Sequence, residues 1–152
     1  MKKMNSEREL RDKGVDFELI PLTQTVHSVH DVQVACKCEA SEVIKTLIFI
    51  GSNPIVIILP GDKRVSIAKL EELTGERGLR MAKPAEVMAL TDYSVGSVSP
   101  FGINPAIKQI ADNSTLSLPS LFLGSGKSDV LIKISQAEFS KSFRGTFASI
   151  SD

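Results

Sequence analysis

Two apolar, β-branched runs stand almost back to back: Lys45-Thr46-Leu47-Ile48-Phe49-Ile50 and Ile55-Val56-Ile57-Ile58-Leu59. Only Gly51-Ser52-Asn53-Pro54 separates them. Neither run approaches the roughly 20 apolar residues of a membrane helix. Ile and Val fit a pleated sheet better than a helix, because branching at Cβ restricts the side chain against the preceding helical turn. A short connection carrying Gly and Pro reverses the chain. The pair therefore predicts a β-hairpin at the centre of a sheet, closed by a second turn at Pro60-Gly61-Asp62-Lys63.

The flanking sequence must cover that hairpin. A first helix is expected over Glu7 to Lys13, with Ser6 as N-cap, Glu9 as capping-box partner and Gly14 as stop. Val15, Phe17 and Leu19 alternate with Asp16 and Glu18, predicting a half-buried strand that ends at Pro21. Ser28 can cap a second helix through Cys36 that shows Val29, Val32 and Ala35 on one face. Ser66 can cap a third, carrying Ile67, Leu70 and Leu73 and ended by Gly75. Pro84 suits the first turn of a short helix over Ala85 to Leu90. Further strands are expected at Val95 to Ser99, Ile107 to Ala111, Leu121 to Leu123, Val130 to Ile134 and Thr146 to Ile150. Ser135-Gln136-Ala137-Glu138 is a capping box for a helix bearing Phe139 and Phe143. Strands grouped with occasional helices, without strict βαβ alternation, predict an α+β fold with a mixed, mostly antiparallel sheet and flanking helices. No repeat, low-complexity tract or linker interrupts the pattern, so residues 1–152 are expected to form a single domain.

Lys plus Arg balances Asp plus Glu at 18 each. The chain thus has no global attraction for nucleic acid, and any RNA contact must rest on a local patch. Lys63, Arg64, Lys69, Arg77, Arg80 and Lys83 gather in one stretch, but Glu71, Glu72 and Glu76 interleave with them, which equally describes a solvated mixed-charge face. The start, Met1 to Glu7, lacks the apolar stretch of a signal peptide. Cys36 and Cys38 are no disulfide framework. The cytoplasm is the expected compartment, with no membrane contact.

Four groups of residues could carry chemistry. Lys45 interrupts an apolar run and by strand parity shares a face with Leu47 and Phe49. It must snorkel, find a partner, or line a cavity as a cation aimed at a phosphate or carboxylate. Gly96-Ser97-Val98-Ser99-Pro100-Phe101-Gly102 concentrates two glycines and a proline, a composition commonest in an ordinary turn that can also present free N–H groups to an oxyanion. Gly124-Ser125-Gly126-Lys127-Ser128 imitates the end of a P-loop. Leu121 stands where that motif needs its first Gly, however, and a strand follows where the motif needs a helix. His27, His30, Cys36 and Cys38 lack the spacing and convergence of a zinc site, so no metal is expected. No Gly-x-Ser-x-Gly elbow and no His-Glu-x-x-His is present. A hydrolase built on this chain would borrow its nucleophile activation from the substrate.

Taken in order, Ser28-Val29-x-x-Val32, Val43-Ile44-Lys45-Thr46-Leu47-Ile48-Phe49, Pro60-Gly61-Asp62-Lys63-Arg64, Ala82-Lys83-Pro84-Ala85-Glu86-Val87, Gly96 to Gly102 and Gly124-Ser125-Gly126-Lys127 resemble the YbaK/prolyl-tRNA synthetase-associated domain family. The resemblance extends from Val15 to Ile150. It implies a partly barrel-like mixed sheet with flanking helices. The implied activity is deacylation of mischarged tRNA without metal or cofactor, chiefly proline tRNA carrying cysteine or alanine. The partners it implies are the acceptor end of an aminoacyl-tRNA and an aminoacyl-tRNA synthetase. In its terms Lys45 holds the tRNA end, while Gly96 and Pro100 frame the loop that orients the scissile carbonyl. Thr46, Ser97, Val98, Ser99, Gly124, Ser125 and Gly126 border the same pocket. The chain departs from the pattern at Lys37, where relatives carry Gly, and at Cys36 and Cys38, which replace aliphatics. Thr46 after Lys45 matches cysteine-releasing and broader members, whereas alanine-specific ones carry Asn. Competing expectations are a non-catalytic module for a tRNA end or aminoacyl ligand, a hydrolase of another ester or thioester, and an interaction subunit that keeps only the fold.

Overall fold

The computed structural model describes residues 5–152. The expected hairpin lies at its centre. Strands β2 (Ile44–Ile50) and β3 (Pro54–Pro60) pair antiparallel from Ile44 opposite Pro60 to Ile50 opposite Pro54. The Lys63 N–H donates to the Pro60 carbonyl at 3.0 Å and closes the following turn. The other strands are β1 (Glu18–Pro21), β4 (Arg80–Met81), β5 (Lys108–Asp112), β6 (Ser120–Gly124), β7 (Val130–Ser135) and β8 (Thr146–Ala148). They form a five-stranded sheet of order β4-β2-β3-β5-β8 and a three-stranded sheet of order β1-β7-β6. β5 joins β3 and β8 in parallel, and the remaining pairs are antiparallel. The mixed, mostly antiparallel α+β expectation is met. The sheets do not close into a barrel: an isolated bridge between Val43 and Phe122 ties one to the other.

Parity then sorts the core into layers. Ile44 and Ile48 of β2 and Val56 and Ile58 of β3 face Leu121, Leu123, Ile132 and Ile134 of the smaller sheet. Leu47 and Phe49, with Ile55, Ile57 and Leu59, turn the other way onto Leu70 of helix α3 (Ile67–Thr74). Phe122 and Leu131, on the outer face of the smaller sheet, pack with Val32 of helix α2 (Val29–Cys36). Helices α1 (Asn5–Asp12), α4 (Pro84–Thr91) and α5 (Gln136–Ser142) complete the elements. No helix among the described residues is long and apolar enough to cross a membrane.

Three of the serine caps behave as the sequence predicts. Ser28 accepts from Asp31 N–H, Ser66 from Lys69 N–H and Ser135 from Glu138 N–H. Ser6 does not: it sits inside α1, buried, and its Oγ donates to the Ser125 carbonyl, while Glu9 turns to the Gly102 N–H. Glu138 likewise leaves its capping box and accepts from the Asp16 N–H. The predicted strand at Val95 to Ser99 is a loop, because Gly96 takes φ 89° and the Ser97 N–H turns back to the Ser94 carbonyl. Of the apolar helix positions, Ala35, Ile67 and Leu73 are exposed, so α2 and α3 anchor through fewer residues than periodicity suggests.

Candidate functional site

A cavity of about 270 Å³ opens where the edges of the two sheets meet. Its walls come from the segment leading into α2 (Val26 to Ser28), from β2 (Ile44 to Ile48), from the loop at Gly96 and Val98, and from β6 (Phe122 to Gly124). The local sequence explains the convergence. Gly124 lets β6 pass close to the loop, since a Cβ there would run into the Val98 carbonyl. Gly96, at φ 89°, presses against the His27 backbone, where a Cβ would lie 3.1 Å from the His27 carbonyl oxygen. The lining is mostly apolar, a common character of small-molecule sites.

Lys45 is half-buried on the cavity wall, and its Nζ donates to the Lys63 carbonyl at 2.5 Å. Burial holds its pKa below the usual lysine value. Arg64 pushes in the same direction and Asp62 opposes them. No carboxylate among the described residues forms a salt bridge with this ammonium. The cation is therefore tethered through a neutral carbonyl and keeps its charge for an anion. Thr46, the next residue, lines the same cavity, and its Oγ1 is buried without a hydrogen-bond partner.

The loop supplies backbone donors. Ser97 N–H is used internally, but the N–H groups of Gly96, Val98 and Ser99 make no hydrogen bond to another group of the described residues. Free amides at a tight turn are the usual raw material of an oxyanion site. Phe101 anchors the far end of the loop, meeting Phe139 edge-on with ring centroids 6.1 Å apart. Pro100 is buried behind the cavity, and its carbonyl accepts from Gln109 Nε2 at 3.1 Å.

The structure thus brings Lys45, Thr46, Gly96, Val98 and Gly124 onto one wall system. Ser97, Ser99, Pro100, Ser125 and Gly126 form the layer behind it. Ser125 Oγ donates to the Val130 carbonyl at 2.6 Å, and the Gly126 N–H donates to the Ser97 carbonyl at 2.8 Å, so this turn supports the loop from the rear. His27 and Met81 also line the cavity. The sequence offers His27 as a metal-ligand candidate, and the structure makes it a wall residue. The signal was its place just before the Ser28 cap, which fixes the segment against Gly96. Among the described residues no three His, Cys, Asp or Glu side chains gather as a metal set. Burial raises the Cys36 and Cys38 thiols, which disfavours the thiolate form a metal requires. Part of the basic stretch is committed elsewhere, since Arg80 is bidentate with Glu86 and Lys69 donates to the Ser151 carbonyl, while Arg64 stands beside Lys45.

Residues 23–141 match the aminoacyl-tRNA editing domain family. The proline–tRNA ligase of Pseudothermotoga lettingae is 30% identical over 122 residues, covering 78% of this chain and 21% of the ligase. That of Endomicrobium trichonymphae is 30% identical over 112 residues, covering 73% and 20%. The chain therefore spans about a fifth of the length of these relatives. Among solved structures, hypothetical protein APE2540 superposes with a TM-score of 0.91 at 28% identity, over 97% of this chain and 99% of that one. A candidate trans-editing enzyme for prolyl tRNA synthetase superposes with a TM-score of 0.87 at 23% identity, over 97% and 95%, a likeness of fold.

Proposed function

The chain belongs to the aminoacyl-tRNA editing domain family, and on that premise we propose that it is a trans-editing deacylase, hydrolysing the ester of mischarged tRNA, with proline tRNA carrying cysteine or alanine as substrate. The observation that carries this reading is the cavity itself: small, apolar, with one ammonium and unpaired backbone donors on its walls. An amino-acid side chain fits the apolar part. The Lys45 ammonium is a point charge suited to the terminal phosphate of the acceptor end. A water molecule adds to the ester carbonyl, and the loop amides stabilise the oxyanion that forms. The bond to the ribose oxygen then breaks, that oxygen takes up a proton, and the free amino acid leaves. A neighbouring ribose hydroxyl, or the thiol of a bound cysteine, relays the proton from water. Positioning supplies the rest, because an amino-acid ester is already labile. The fold likeness covers nearly all of a candidate trans-editing enzyme, which supports action on tRNA released from a synthetase. A synthetase is the expected partner, and the cytoplasm the matching compartment.

Deacylation of proline tRNA carrying Ala, Cys, Ser or Pro, measured for wild type beside Lys45→Ala, tests the proposal. We expect one mischarged species to be hydrolysed, Pro to be spared, and the mutant to lose the activity. Full activity in Lys45→Ala would remove the lysine from the mechanism. No turnover of any species by the folded wild-type protein would leave a binding module for the tRNA end.

A further inference from the structure

Behind the cavity lies a buried polar brace that the hydrolysis described above does not use. Part of it, Ser6 and Glu9 of α1, falls outside the family match at residues 23–141. Tyr93 occupies its centre, 5% exposed. The Tyr93 hydroxyl donates to the Phe101 carbonyl at 2.6 Å, at the far end of the loop 96–102. The ring lies flush against the turn 124–126, where a Cβ on Gly126 would sit 2.6 Å from Tyr93 Cε1. The Gly126 N–H donates to the Ser97 carbonyl at 2.8 Å and joins loop to turn directly. From α1, Ser6 Oγ donates to the Ser125 carbonyl at 2.5 Å, and Glu9 Oε1 accepts from the Gly102 N–H at 2.9 Å. Every one of these contacts ends on the loop or the turn, and the α1 side chains together with the Tyr93 hydroxyl reach backbone atoms. Burial pushes the Tyr93 hydroxyl up to about 12, so it stays protonated as a donor at any neutral pH.

We propose that Tyr93 is a positioning residue: with Ser6 and Glu9 it locks the loop 96–102 to the turn 124–126, and so holds the Gly96 and Val98 amides where an oxyanion develops. Oxyanion donors act through preorganisation, and a displacement of a fraction of an ångström weakens them in the transition state more than in the ground state. The kinetic consequence rests on the deacylase reading, while the geometry does not.

Tyr93→Phe keeps the ring against Gly126 and removes only the hydroxyl. Its kcat should fall about tenfold with KM unchanged, short of the roughly 10²- to 10³-fold loss of a whole donor. Amide hydrogen exchange provides a second readout that needs no substrate. The Gly102 and Gly126 amides, held by Glu9 and the Ser97 carbonyl, should exchange about tenfold faster, the equivalent of one lost hydrogen bond, while those of Ile57 and Ile58 in β3 stay as in wild type. Ser6→Ala should loosen the same amides to a smaller degree. Unchanged exchange in the loop overturns the brace. Faster exchange spread evenly through β3 overturns it too, since the hydroxyl would then serve only general stability. Local loosening with unchanged kcat overturns the positioning role. If wild type hydrolyses no charged tRNA, the deacylase reading fails by itself, and the exchange rates still decide whether the brace exists.

Discussion

His27 and Lys45 are the titratable side chains on the cavity wall among the described residues, and they sit there for different reasons. Lys45 is carried by a strand and tied through its Nζ to a carbonyl. His27 is exposed on the segment before α2, its own N–H held by Asp31 Oδ2 at 3.0 Å and its backbone packed on Gly96. If the substrate supplies its own proton relay, the imidazole has no part in the chemistry. His27→Ala should then keep kcat close to wild type, with at most a change in KM, in the same charged-tRNA assay. A general base contributes about 10²- to 10⁴-fold, so a fall in kcat of that size would make His27 the base and end the substrate-assisted mechanism. The neighbouring oddity, Thr46 with its unpartnered Oγ1, is of the kind found where a protein keeps a costly polar atom for a ligand, since an unmade buried hydrogen bond costs about 1–3 kcal/mol.

Element by element, α4 shows how a cavity wall is secured by charge. Its first turn is capped by Glu86, which accepts from the Lys83 N–H at 2.9 Å and from the two Arg80 Nη atoms at 2.8 and 2.9 Å. The Arg80 hydrogen bonds come first among the causes that hold the Glu86 carboxyl at about 2, well below its usual 4.5. A carboxyl whose folded pKa is depressed stabilises the fold above the unfolded value and loses that stabilisation as pH falls through the folded one. The clasp should therefore weaken between pH 4.5 and about 2. Because Met81, Ala82 and Val87 line the cavity on either side of it, that wall should loosen in the same window. An NMR titration of the Glu86 carboxyl, with exchange of the Lys83 amide followed in parallel, checks this. Glu86→Gln should flatten the dependence, and a Glu86 that titrates near 4.5 would refute it. The same element displays what sequence can disclose. Pro84 at the first turn and the caps at Ser28, Ser66 and Ser135 are local chemistry, written in adjacent residues. Ser6 has the right type in the right place for a cap, yet its hydroxyl goes to Ser125, 119 positions away. Val95 to Ser99 carries two β-branched valines, but Gly96 at positive φ breaks the extended path, and Val98 packs into the core from a loop while Val95 stays exposed. Both differences come from tertiary partners that no window of sequence contains.

At the scale of the whole molecule, the site is a property of how two sheets abut. Lys45, the loop from Gly96 and the turn at Gly124 were legible because each breaks a local pattern: a charge in an apolar run, or glycines beside structure. His27, Met81 and Phe122 were not, because they become wall residues only when the edge of β2 meets β6. Phe122 lies on that seam. It bridges to Val43, packs with Val32 and Leu131, carries Lys133 Nζ 5.4 Å from its ring centroid, and faces the cavity. It belongs at once to the core and to the pocket. Truncation to Ala would cost about 3–5 kcal/mol, a large share of the stability of a chain this size. Phe122→Leu removes less and still enlarges the cavity. Selectivity against a slightly larger side chain rests on about 1–3 kcal/mol of steric exclusion. In Phe122→Leu the ratio of kcat/KM for the preferred mischarged tRNA over prolyl-tRNA should therefore shrink by about tenfold, with prolyl-tRNA gaining absolute rate. A lowered denaturation midpoint with the ratio intact would make Phe122 a core residue alone. The rejection of proline would then have to come from the rim formed by Met81 and Val95, which stand 56% and 52% exposed at the cavity mouth.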